Sequence, residues 1–100
     1  PVSGWHYADK TSWGVHDEEL PDQILIANLV DGGVWISYHP DLPPEIIDSL
    51  KKIVSEYKTG VVLTPRTNND KLISLAAWGR LDKFDYYDEA RILKFIKAYR

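Results

Sequence analysis

The chain has no cysteine, which excludes disulfides, thiolate metal sites and thiol redox chemistry together. It also lacks an excess of positive charge. Lys and Arg number 12 against 15 Asp and Glu, for a net charge of −3 at pH 7. The basic residues are scattered among acids, with no cluster beyond Lys51-Lys52. A phosphate-binding domain carries a basic face, so nucleic acid is excluded as a partner. No apolar run in these residues approaches the ~20 residues of a membrane span, and the expectation from them is no signal peptide. Repeats and low-complexity segments are missing too. No serine stands in a nucleophile-elbow context, so serine catalysis finds no support. The acidic run Asp17-Glu18-Glu19 lacks the ligand spacing of a calcium loop and reads as a solvated face.

What is present is the composition of one folded domain, with 44% apolar and 27% charged residues. A chain of 100 residues builds one core and needs neither metal nor disulfide to hold it. The expectation is a single domain over residues 1–100. Its abrupt opening, Pro1-Val2-Ser3-Gly4, reads as the middle of a loop, as if trimmed from a longer parent.

Residues 1–20 show no steady period and read as an ordered loop, since Trp5, Tyr7 and Trp13 are too apolar for a solvated tail. Periodicity leaves Pro21–Val30 open between strand and helix. Pro21 at a first turn and Gly32 just past the end favour the helix. Val34-Trp35-Ile36-Ser37-Tyr38, β-branched and aromatic, predicts a strand. Pro43-Pro44 opens a helix to about Lys58, with Ile46, Ile47, Leu50, Ile53, Val54 and Tyr57 as its apolar stripe. Val61–Thr64 and Leu72–Trp78 read as two strands of a hairpin around Thr67-Asn68-Asn69-Asp70. Asp85 can cap a last helix whose core face is Ile92, Phe95, Ile96 and Tyr99. The predicted class is α+β: a small, mainly antiparallel sheet of three or slightly more strands covered by two or three helices.

Five stretches together resemble one family, the bacterial domain of unknown function numbered 3105. They are Ser3-Gly4-Trp5-His6-Tyr7, Trp13-Gly14-Val15, Asn28-Leu29, Gly32-Gly33-Val34-Trp35-Ile36-Ser37-Tyr38 and Ala77-Trp78-Gly79-Arg80. The resemblance implies the extracytoplasmic part of a membrane-anchored protein. It also implies a central pattern similar to His-Asn-Leu-Glu-His-Gly-Gly-Val, whose ligands at i, i+3 and i+4 would share one helical face with the opening histidine. This chain departs from that pattern. Ala27, Val30 and Asp31 stand where the first histidine, the glutamate and the second histidine would be. His6 alone remains of the implied set, so metal binding does not carry over and no metal or cofactor is expected.

Replacing three ligands with two apolar side chains and one acid, inside an otherwise kept framework, suggests a redesigned pocket. A carboxylate in apolar surroundings loses solvation and becomes a stronger base. The expectation is therefore a metal-free pocket in which Asp31, with His6, abstracts a proton from a small aromatic molecule, as in the Kemp elimination. Trp5, Ala27, Val30, Trp35, Tyr38 and Trp78 would form its walls. Blander readings stand beside this one. Asp31 before Gly32-Gly33 is also an ordinary helix-end residue, and His6 could simply bond a backbone carbonyl. A natural extracytoplasmic binding module that lost the family's metal site is the alternative to an enzyme.

Overall fold

Val34–Tyr38 carries β-branched and aromatic residues on both sides, and every residue of it is buried. A strand of that kind belongs at the centre of a sheet with both faces covered. A computed structural model describes residues 9–100 and shows how the cover is arranged. In chain order the elements are β1 (Gly14–Val15), α1 (Asp22–Val30), β2 (Val34–Tyr38), α2 (Pro44–Ser55), β3 (Val61–Pro65), β4 (Ile73–Ala77), β5 (Arg80–Phe84) and α3 (Glu89–Tyr99). The five strands form one sheet in the order β1-β3-β2-β4-β5. β1 and β2 both run parallel to β3, whereas β4 is antiparallel to its neighbours β2 and β5. The antiparallel ladders carry somewhat more of the registered pairs than the parallel ones. The fold is α+β.

Strand alternation sends Val34, Ile36 and Tyr38 to one face, where α2 and α3 bury Leu50, Ile53, Val54, Ile92, Phe95 and Ile96 against them. Trp35 and Val62 point to the other face and meet Leu25 and Leu29 of α1, with Trp13 and Leu20 alongside. The turn from α1 into β2 is tight. Gly32 has φ +88°, which favours glycine, and a Cβ on Gly33 would overlap the Trp13 ring.

Two expectations change. The predicted hairpin of Val61–Thr64 with Leu72–Trp78 does not form, because β2 lies between those strands. A parallel β2–α2–β3 crossover occupies one side of β2, so β4 must take the other. The connecting segment crosses the end of β2, pinned by Arg66 N–H to the Tyr38 carbonyl (2.8 Å) and His39 N–H to the Leu72 carbonyl (2.9 Å). The real hairpin is β4–β5, closed by Trp78-Gly79 with Gly79 at φ +78°, as a type II turn requires. Asp85 is not the cap of the last helix. Asp88 accepts the Arg91 N–H at 3.1 Å as the N-cap of α3, and Asp85 accepts the Leu72 N–H at 3.0 Å.

Candidate functional site

On the α1 face, alternate residues line up into two rows across the sheet. Thr64, Ser37, Ser74 and Lys83 are successive cross-strand partners. So are Val62, Trp35, Ala76 and Leu81 in the adjacent row. One row is hydroxylic and ends on an ammonium, and the other is apolar. Helix α1 covers the Val62–Trp35 end and leaves the β4–β5 end open. The uncovered part is a cleft of about 230 Å³, lined among others by Trp35, Ser37, Ser74, Ala76, Leu81 and Lys83.

One wall of the cleft is a continuous polar chain. Arg66 makes a bidentate pair with Asp22, its Nε and Nη2 donating to the two carboxylate oxygens at 3.0 and 2.7 Å. Its Nη1 donates to Asn69 Oδ1 at 3.1 Å, and Asn69 Nδ2 donates to Ser37 Oγ at 3.0 Å. The Arg66 hydrogen bond holds the Asp22 carboxyl below its ordinary value of 3.8, against the desolvation that opposes it. At the far rim Lys83 Nζ donates to both Asp70 oxygens at 3.1 Å, which likewise lowers the Asp70 carboxyl. The Trp35 indole N–H is spent on Thr64 Oγ1 at 3.0 Å, so its ring offers the cleft an apolar surface. Ser37 and Ser74 are buried, yet no described group holds the Ser74 hydroxyl.

Of the residues expected to form a pocket, the described ones do not converge on one. His6 and Trp5 lie outside the described residues. Asp31 is the C-cap of α1, with a side chain 56% exposed that pairs with Lys10 at 3.2 Å. Val30 is 65% exposed and Ala27 half-buried. Among the described residues, the apolar enclosure expected around Asp31 is not there, because the buried side of α1 is Leu25, Asn28 and Leu29. Tyr38 faces α2 and α3, on the opposite side of the sheet from Trp35, and burial pushes its hydroxyl above the usual tyrosine value. One pocket cannot hold both rings. Trp78 sits exposed at the tip of the β4–β5 turn. Of the expected walls among the described residues, Trp35 alone lines the cleft. Ser37, Arg66, Asn69, Ser74, Leu81 and Lys83 were missed, although serines inside two strands of otherwise apolar pattern were a visible signal.

No three His, Cys, Asp or Glu side chains cluster as metal ligands among the described residues. No described helix is long and apolar enough to cross a membrane. No curated protein and no solved structure matches the chain. Residues 1–100 match the model of the family described as "Protein of unknown function (DUF3105)", and the chain belongs to that family.

Proposed function

We propose that this domain binds a small amphipathic organic acid in the half-covered face of its sheet. The observation that supports this most is the pair of rows, Thr64-Ser37-Ser74-Lys83 beside Val62-Trp35-Ala76-Leu81. A flat ligand lying on Trp35, Ala76 and Leu81 would present its polar edge to Ser37 and Ser74 and its carboxylate to Lys83, competing there with Asp70. Drug-sized ligands occupy roughly 300–1,000 Å³, so a cleft of about 230 Å³ suits a smaller molecule. For about ten non-hydrogen atoms at roughly 0.4–0.55 kcal/mol each, the dissociation constant would be on the order of 0.1–1 mM.

The test is a nuclear magnetic resonance titration of the nitrogen-labelled chain with 4-hydroxybenzoate. Shifts are expected at the Trp35 indole N–H and the Ser37, Ser74 and Lys83 amides. Ser74→Val and Lys83→Ala should each weaken them several-fold while the rest of the spectrum stays folded. No shifts at millimolar ligand, or shifts confined to the α2–α3 face, would sink the idea. The extracytoplasmic, membrane-anchored parent belongs to this proposal, as does an ancestral metal cage at Ala27, Val30 and Asp31.

Proton abstraction by Asp31 is the competing proposal, and the exposure of its carboxylate together with the Lys10 pair gives it no physical support. A base of that kind needs desolvation. The expected outcome is benzisoxazole turnover no faster than free carboxylate provides, unchanged in Asp31→Asn. A clear rate that vanishes in Asp31→Asn would reverse that preference.

A further inference from the structure

Among the described residues, β5 pairs with β4 alone, so its outer side is an open sheet edge. This edge is guarded by charge, as edges usually are, with Arg80, Asp82 and Lys83 in its five residues, but Leu81 between them is 63% exposed and Trp78 at its turn 68%. The two-residue turn determines which backbone groups are free. Ala77 and Arg80 close the hairpin as a hydrogen-bonded pair, and the pattern alternates from there. Arg80 and Asp82 therefore turn their N–H and C=O toward β4, while Leu81 and Lys83 turn theirs outward.

A second copy of the strand can add antiparallel to this edge about a two-fold axis, with one residue facing its own copy. Centring on Arg80, Asp82 or Lys83 sets a charge against itself, which is destabilising. Phe84 is the last residue of the strand and offers little overlap. Leu81 remains. That register opposes Leu81 to Leu81 of the second copy, a hydrogen-bonded pair whose free N–H and C=O groups meet. It also opposes Arg80 to Asp82 of the second copy, twice over. Arg80 has no ion-pair partner among the described residues and lies 6.0 Å from the Tyr99 ring centroid. Asp82 is held by Arg91 at 2.6 and 2.8 Å and retains lone pairs for a second donor.

We infer that the domain forms a two-fold dimer through β5, with Leu81 on the axis and the Arg80–Asp82 pairs flanking it, giving one continuous ten-stranded sheet. The layers permit it. Strands stand about 4.8 Å apart, so the two β4 strands would lie about 14 Å apart, leaving room for two α3 helices that need roughly 8–10 Å. On the other face no described helix covers β5, and Leu81 of the second copy would close the open side of each cleft. The inference stands apart from the ligand proposal, since association is measured without ligand.

Sedimentation equilibrium of the 100-residue chain should give a dimer at micromolar concentration, and a monomer up to millimolar concentration overturns the inference. Arg80→Asp opposes two carboxylates on each side of the axis and should weaken association about tenfold or more; an unchanged dimer overturns it. Because the chain has no cysteine, Leu81→Cys supplies a single thiol. Its Cα would stand about 5.5 Å from its copy, within disulfide reach. Oxidation should link Leu81→Cys and not Lys83→Cys, whose thiols sit four residues apart along the strands. Failure at position 81, or equal linking at both, overturns the register.

Discussion

Asn28 is fully buried and does for the entry segment what a neighbouring strand would do. Its Oδ1 accepts the Thr11 N–H and its Nδ2 donates to the Thr11 carbonyl, each at 3.1 Å. Asn28→Ala removes both bonds and leaves two half-buried backbone groups unpaired, at a cost of about 2 kcal/mol. The expected result is a lower urea midpoint at unchanged slope, and an unchanged midpoint would mean that water replaces the side chain freely. In the sequence Asn28 stood out only within a family motif, because its partner lies 17 residues away and no local period connects them. Trp35 and Tyr38 teach the reverse. Their spacing of three already placed them on opposite faces of any strand, so grouping them in one pocket ignored information that was present.

At the scale of elements, α3 shows how a cap is chosen. Asp85 and Asp88 both precede the apolar stripe, and only Asp88 stands three residues before a free N–H, that of Arg91. Asp88→Ala should cost about 1 kcal/mol, read as lost helix signal and a lower melting temperature. Asp85→Ala should instead weaken the β4 entry at Leu72, leaving the helix start intact. Helix α2 was legible from its stripe and its Pro43-Pro44 opening, and appears as Pro44–Ser55. β5 was not, because Arg80, Asp82 and Lys83 give it the composition of a loop. An edge strand buries little, so periodicity has little to record. β1 is two residues long and is held by its neighbour rather than by its own pattern.

For the whole molecule, the Asp22–Arg66 pair ties the start of α1 to the segment after β3, two elements that meet only in the folded chain. Arg66 lowers the folded-state pKa of Asp22 below 3.8. The stability this supplies is fully present above about 3.8 and is lost as pH falls through the depressed folded value. With both side chains partly open to solvent, it amounts to about 1 kcal/mol after screening. Stability of Asp22→Asn should therefore fall less steeply than wild type below pH 3.8 and converge with it in acid. The Asp70–Lys83 pair acts in the same direction, so a residual slope should remain. Parallel curves for the two proteins would show that the Arg66 contact does not persist in solution.

By itself the sequence determined the class, the central strand, α2 and α3, and the family, since each is written in local pattern or contiguous motif. It also determined the absence of thiol chemistry, since the chain has no cysteine. Tertiary structure alone decided the strand order, the partner of β4, and which half of the α1 face stays open. Those depend on how β2–α2–β3 closes around β2, a competition between distant segments for one edge that no local window contains. The cleft follows from the same cause. Ser37 and Ser74 are 37 residues apart in the chain and become neighbours only because β2, rather than β3, pairs with β4.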